Sequence, residues 1–132
     1  CSCFNKYLKM DLPTCKVLEY ADISAGLASQ SYKLIDVRGR EEVRTDGKIP
    51  GSHNVPVDEV AEAFNLSFSD FKVKYGFDKP GVDEENVVVH CKLGGRAKRA
   101  IDELRAKGYC KLNLYSGFAD WKENGGEIER LL

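Results

Sequence analysis

The sequence predicts an α/β domain with a mainly parallel sheet of about five strands and helices on both faces. Short apolar segments rich in β-branched residues alternate along the chain with segments of helical periodicity. One segment, VVVH at 87–90, is apolar at consecutive positions, which is typical of a central strand covered on both faces. Five segments are expected to form the strands: 16–20, 34–37, 53–55, 87–90 and 111–117.

Local signals place the helices between these strands. Asp22 or Ser24 can cap a first short helix, and Gly47 ends a helical turn or two that begins near residue 40. Two short helices follow, from residue 57 or 58 and from Ser69. A longer helix is predicted over 95–108, and the last one follows the final strand. The buried stripe of the long helix comprises Ala97, Ala100, Ile101 and Leu104.

Length and charge bound the function. The 132 residues include 20 basic and 21 acidic side chains, for a net charge of −1, so no strong overall field points to nucleic acid or to an anionic membrane. No apolar run is long enough to span a bilayer. We expect residues 1–14 to form a flexible amino-terminal segment and residues 15–132 to form one folded domain.

The five cysteines lie at positions 1, 3, 15, 91 and 110 and have no zinc-binding spacing. Their odd number and the high content of charged residues favour a reducing compartment. We therefore expect a cytoplasmic or mitochondrial protein with no metal and no cofactor. Cys110 is interpreted as a small apolar side chain beside the last strand.

Cys91 follows the predicted central strand and stands before Gly94, Gly95 and a helix start. Ligands of open parallel sheets bind at the carboxyl ends of the strands. Consecutive glycines allow a sharp turn whose backbone N–H groups form an anion-binding nest, backed by the helix dipole. Such a field favours a thiolate over a thiol. Arg96 adds a guanidinium that can bind an oxyanion.

A lone cysteine at a strand end is by itself more often a packed core thiol. The two glycines, the helix start and Arg96 at this spacing favour a nucleophile in a nest instead. The remaining loop residues, Lys92, Leu93 and Ala97, are then candidates for substrate binding, with Lys92 adding positive potential at the mouth.

Four segments together resemble the single-domain rhodanese family of thiosulfate sulfurtransferases. CKLGGR resembles the Cys-x-x-x-x-Arg active-site loop, LIDVRGREEV the Asp-Val-Arg element, and GKIPGSHNVP the following turn and strand. GYCKLNLYSGFADWKENGG resembles the closing segment. The resemblance runs in order from Val17 to the end. It implies a rhodanese-like fold.

The sequence departs from the family pattern at a few positions. Lys48, Ser52, Ala97 and Ser116 replace residues that are commonly His, Ala, Ser and Gly, and one extra residue lies between Glu42 and Gly47. None of these changes removes the cysteine or the loop glycines.

The resemblance implies that Cys91 takes sulfane sulfur from thiosulfate as a persulfide and passes it to cyanide or to a thiol such as glutathione or thioredoxin. The loop residues 92–97 would bind the donor. Asp36 would order the loop through backbone hydrogen bonds. An ion pair of Asp36 with a nearby arginine is the other interpretation, and the two are compatible. Arg38 is expected to pair with Glu41 or Glu42.

Neither histidine is expected to act as a base. Strand alternation places the side chain of His90 on the opposite face of the sheet from Cys91, so we interpret it as a core residue. His53 is interpreted as structural.

Two alternatives remain open. A phosphatase or arsenate reductase shares a Cys…Arg cradle, but the related dual-specificity loops have five intervening residues where this chain has four. A catalytically weak rhodanese-like module that binds other proteins is the second alternative, although such modules usually lack the cysteine.

Overall fold

The computed structural model describes residues 16–131, and its centre is one parallel five-stranded sheet. The strand order is β1-β5-β4-β2-β3, so β4 lies in the middle as predicted. All four strand pairs are parallel. The strands are β1 Val17–Leu18, β2 Lys33–Asp36, β3 His53–Asn54, β4 Val87–Cys91 and β5 Asn113–Gly117.

Helices connect successive strands, as parallel pairing requires. The longest is α5, which follows β4. The helices are α1 Tyr20–Ala28, α2 Arg40–Asp46, α3 Val60–Ala63, α4 Phe68–Tyr75, α5 Gly95–Ala106 and α6 Phe118–Glu123, and a 3₁₀ turn covers Val57–Glu59. Within residues 16–131, no helix is both long and apolar enough to cross a membrane.

Two apolar clusters cover the two faces of the sheet. Alternation along β4 sends Val87, Val89 and Cys91 to one cluster and Val88 to the other. Helices α3, α4 and α5 pack on the first face, and α1 and α6 pack on the second. The predicted stripe of α5 is buried at all four of its positions. The prediction of a parallel sheet with helices on both faces is confirmed.

Some element boundaries differ from the prediction. Strand β1 has two residues, because α1 begins as early as Tyr20. The carboxylate of Asp22 accepts the backbone N–H of Glu19 at 2.8 Å, which starts the helix one turn before the predicted caps. Cys91 is the last residue of β4 and does not lie beyond the strand.

Two further expectations concern the amino-terminal segment and Cys110. The expected flexible segment 1–14 lies outside the described residues. Of the two cysteines in residues 16–131, Cys91 is a free thiol and Cys110 is disulfide-bonded. The interpretation of Cys110 as a simple apolar side chain is therefore wrong.

Candidate active site

Cys91 ends the central strand at the sheet edge where β2 and β5 also end. Parallel pairing places Asp36 opposite His90 on one side, and Cys91 opposite Gly117 on the other. The register shifts between His90 and Cys91, so the last residue of β4 is displaced from a regular ladder. Such irregularities re-aim a side chain at the end of a strand.

The Cys91 sulfur accepts two backbone hydrogen bonds from the turn that follows it. The Gly94 N–H group lies 3.0 Å from Sγ and the Ala97 N–H group lies 3.4 Å from it. The Ser116 carbonyl oxygen is 3.9 Å from the same sulfur. N–H groups directed at sulfur stabilise the thiolate, as does the amino-terminal end of the twelve-residue helix α5. The predicted nest is therefore present.

Glycine is required at two positions around this nest. Gly94 has φ +110°, a left-handed conformation that lets the chain turn from β4 into α5. Gly117 has φ +126°, and a Cβ there would lie 1.7 Å from the Cys91 carbonyl oxygen. Gly95 has no such constraint, because a Cβ on it would meet nothing within 4 Å. Gly117 was not among the predicted site residues, although it stands in the closing segment that resembles the family.

Arg96 does not present a free guanidinium to the pocket. It is paired with Glu42 on α2, with Nη1 to Oε1 at 2.5 Å and Nη2 to Oε2 at 3.1 Å. Hydrogen bonding to Arg96 is the main cause that lowers the pKa of Glu42, and the same contact raises the pKa of Arg96. The expected pairing of Glu42 with Arg38 is wrong. Sequence reasoning missed the contact because the two residues are 54 positions apart.

Asp36 and Arg38 form a buried ion pair beneath the site. The Asp36 carboxylate accepts the Arg38 backbone N–H at 3.0 Å and its Nη2 at 2.7 Å. Arg38 also donates to the Gly47 carbonyl at 2.9 Å and lies over the Phe118 ring at 4.2 Å. The interpretation of Asp36 as the partner of a nearby arginine is therefore confirmed, whereas its carboxylate makes no hydrogen bond to residues 92–97 of the cysteine loop. The pair instead joins the end of β2 to the carboxyl end of α2, the helix that carries Glu42.

The mouth of the site is open and basic. The pocket is lined by Cys91, Lys92, Leu93, Gly95, Arg96 and Arg99. Arg99 pairs with Asp58 at 3.0 Å, so both arginines are already bound to carboxylates. Lys92 is exposed and takes part in none of the ion pairs of residues 16–131. Leu93 is 76% exposed, so an apolar side chain also borders the entrance.

The histidines lie where the sequence predicts. His90 is fully buried, and its ring lies 6.4 Å from that of Tyr115 on the face opposite Cys91. Burial lowers the pKa of His90, and burial lowers that of His53, which stacks on Phe77 at 4.2 Å. Within residues 16–131, the Cys91 sulfur is hydrogen-bonded to backbone groups of Ser116, Gly94 and Ala97, and neither histidine ring is among its partners. No group of His, Cys, Asp and Glu side chains within residues 16–131 could hold a metal ion.

Comparison with known proteins agrees with this geometry. The family model described as rhodanese-like domain matches residues 19–124. The chain belongs to the rhodanese-like domain family.

Relatives of this rhodanese-like chain include sulfurtransferases. It is 40% identical over 110 residues to mouse thiosulfate sulfurtransferase/rhodanese-like domain-containing protein 3, covering 83% of this chain and 68% of that one. It is 37% identical over 98 residues to human thiosulfate:glutathione sulfurtransferase, covering 74% and 84%. The solved structure of the human single-domain sulfurtransferase TSTD1 superposes with a TM-score of 0.77 at 32% identity, covering 86% and 98%.

Proposed function

We propose that this rhodanese-like protein is a thiosulfate sulfurtransferase, which moves sulfane sulfur from thiosulfate to a thiol or to cyanide through a Cys91 persulfide. One observation carries the proposal. The free thiol of Cys91 accepts N–H groups from Gly94 and Ala97 at the floor of an open basic pocket. The names of its relatives support the same reaction class.

The first half-reaction makes the persulfide. The Cys91 thiolate attacks the outer sulfur of thiosulfate, an S–S bond forms, and the bond from that sulfur to the sulfonate group breaks. Sulfite leaves with the electron pair, so a thiolate and a dianion become a persulfide anion and a dianion. Lys92, a cation without an ion-pair partner in residues 16–131, can attract the sulfonate, while the positive charge of Arg96 is partly offset by Glu42.

The second half-reaction returns the enzyme to its thiolate. The acceptor thiolate attacks the outer sulfur of the persulfide, and the leaving group is the Cys91 thiolate, held again by the same N–H groups. A thiol acceptor becomes a persulfide after losing its proton to solvent, and cyanide becomes thiocyanate. This is covalent catalysis with two alternating forms of the enzyme, which predicts ping-pong kinetics.

Two features bear on the acceptor and the location. Glutathione is the acceptor we favour over thioredoxin, because a relative is named for it. A cytoplasmic or mitochondrial location stays a prediction. Two yeast relatives carry the word mitochondrial in their names, which supports the second alternative.

Mass spectrometry tests the proposal directly. After incubation with thiosulfate, the intact protein should gain the mass of one sulfur atom, and cyanide should remove it and yield thiocyanate. Cys91→Ser should neither gain sulfur nor form thiocyanate, with an unchanged circular dichroism spectrum, because a hydroxyl cannot carry sulfane sulfur.

Three results would count against it. Sulfur gain in Cys91→Ser would place the persulfide elsewhere. Turnover of an aryl phosphate faster than thiocyanate formation would favour a phosphatase. A wild-type protein that gains no sulfur would favour the protein-binding alternative.

A further inference from the structure

A second pocket adjoins the Cys91 pocket on the α6 side. Its lining residues are Asp46, Lys92, Phe118, Ala119, Lys122 and Glu123. Lys92 lines both pockets, and its Cα atom is about 3.8 Å from that of Cys91. The cavity measures about 510 Å³, within the range of roughly 300–1,000 Å³ that is usual for small-molecule sites.

A backbone hydrogen bond joins α6 to the cysteine loop where the two pockets meet at Lys92. The Ala119 N–H group donates to the Lys92 carbonyl at 3.2 Å, which ties the first turn of α6 to the cysteine loop. Gly117, just before α6, pairs with Cys91 in the sheet. A ligand in the second pocket therefore lies against the same loop that carries the nucleophile.

Four charged side chains of this pocket have no charged partner. Within residues 16–131, the side chains of Asp46, Lys92, Lys122 and Glu123 enter no ion pair and no side-chain hydrogen bond. Arg96 and Arg99 of the first pocket, in contrast, are both bound to carboxylates. Two unpaired cations and two unpaired anions thus surround a small apolar floor made by Phe118 and Ala119.

We propose that this second pocket is the acceptor site and that it binds a small peptide thiol of the glutathione class. Such a thiol has two carboxylates for Lys92 and Lys122, and an ammonium group for Asp46 or Glu123. Its sulfur then lies toward Cys91. The inference rests on the proposed function, because only a persulfide on Cys91 gives the bound thiol something to attack.

In this proposal the donor and the acceptor approach Cys91 from different sides. Thiosulfate enters over Lys92, Gly95 and Arg96, whereas the thiol enters beside α6. The thiolate attacks the outer persulfide sulfur, a new S–S bond to the thiol forms, and the Cys91 thiolate leaves. Lys92 borders both routes, so donor and acceptor contact one common cation in turn.

Calorimetry with S-methylglutathione tests the site without requiring turnover. This thioether keeps both carboxylates and the ammonium group but cannot accept sulfur. It should bind the Cys91→Ser protein, and Lys122→Glu in that background should raise Kd by roughly tenfold or more, the loss of about one charged contact. Lys122→Arg, which keeps the charge, should bind nearly as well as the parent.

A matched charge reversal supplies the control. Lys107→Glu makes the same change in net charge just beyond the carboxyl end of α5, about 18 Å along that helix from the cysteine loop. It should leave Kd unchanged. Equal affinities in the Lys122→Glu and Lys107→Glu proteins, or no binding to Cys91→Ser, would overturn the acceptor site.

Kinetics separates this inference from the function on which it rests. In Lys122→Glu, the KM for glutathione should rise by about tenfold or more, while sulfur gain from thiosulfate and thiocyanate formation continue at the wild-type rate. An unchanged KM for glutathione alongside normal thiocyanate formation would refute the site alone. A protein that never gains sulfur yet binds S-methylglutathione through Lys122 would refute the sulfurtransferase function and leave the binding site standing.

Discussion

Arg96 donates two hydrogen bonds to the carboxylate of Glu42, so the guanidinium expected to clamp the donor is already held by a side chain of this chain. The pair joins the start of α5, where Arg96 lines the Cys91 pocket, to α2. Both side chains are 34% exposed. The Arg96 guanidinium and the Glu42 carboxylate are therefore both partly exposed to solvent, and both charges act on an anion that approaches Arg96.

Removing Arg96 should therefore do more than remove a contact. In Arg96→Ala the Glu42 carboxylate stays at the mouth without its partner and repels thiosulfate. We expect kcat/KM for thiosulfate to fall ~10–100-fold. The double variant Arg96→Ala/Glu42→Gln should recover several-fold of that loss, because the repelling charge is gone. Steady-state kinetics of thiocyanate formation measures both effects.

Glu42→Gln alone is the control for this interpretation. It frees the guanidinium, so the KM for thiosulfate should not rise if Arg96 can then reach the donor. If the double variant is as slow as Arg96→Ala, the Glu42 charge has no influence and Arg96 acts by direct contact only.

Gly94 and Gly95 should respond differently to the same substitution. Gly94→Ala places a Cβ at φ +110°, which costs roughly 1–2 kcal/mol or makes the loop relax and withdraw its N–H group from the Cys91 sulfur. The alkylation rate of Cys91 by iodoacetamide at neutral pH should then fall, because the sulfur loses the Gly94 N–H group that holds it in the nest. If the loop of Gly94→Ala keeps its conformation instead, urea denaturation should show a lower free energy of unfolding.

Gly95→Ala is the matched control. A Cβ there meets nothing within 4 Å, and alanine favours the first turn of α5. Its alkylation rate and free energy of unfolding should be at least those of the wild type. Equal effects of the two substitutions would contradict the role given to the Gly94 conformation.

Gly117→Ala should be among the most destabilising single changes in the domain. The added Cβ would lie 1.7 Å from the Cys91 carbonyl oxygen, so β4 and β5 must separate at the active-site edge. We expect a loss of more than about 3 kcal/mol in the free energy of unfolding. Gly81→Ala, where a Cβ meets nothing within 4 Å, should be nearly neutral. Wild-type stability of Gly117→Ala would contradict the described contact.

Acid should destabilise the protein through His90. Burial holds the pKa of His90 in the folded state below its ordinary value of 6.5. Below about pH 6.5 the histidine binds a proton in the unfolded chain but not in the folded protein. Protonation therefore stabilises the unfolded state relative to the folded state. The stability is therefore full above this pH and is lost as the pH falls toward the folded-state pKa.

Urea unfolding at about pH 7.5 and about pH 5.5 measures this dependence. The difference in the free energy of unfolding should shrink in His90→Gln, whatever that variant does to stability at neutral pH. His53→Gln should shrink it less, because His53 is only half-buried. A difference that stays at its wild-type size in His90→Gln would show that His90 is not the residue responsible.

The sequence alone determined the parallel α/β architecture and the position of the candidate nucleophile at the end of the central strand. Periodicity distinguishes strands from helices, and a continuous apolar run places β4 at the centre of a covered sheet. The position of Cys91, Gly94 and Gly95 between a strand and a helix is local information. It was therefore sufficient to predict the nest, which depends on consecutive backbone N–H groups.

Only the tertiary structure decided the partners of the charged side chains. Arg96 binds Glu42, 54 positions away in the sequence, because α2 approaches the loop in the folded domain. Likewise, Lys122 lies near Lys92 because β5 pairs with β4, although thirty residues separate the two lysines. Hydrophobic periodicity selects the type of each element but not its neighbours in the sheet. The order of the strands and the docking of the helices select those neighbours, and with them the charges around Cys91.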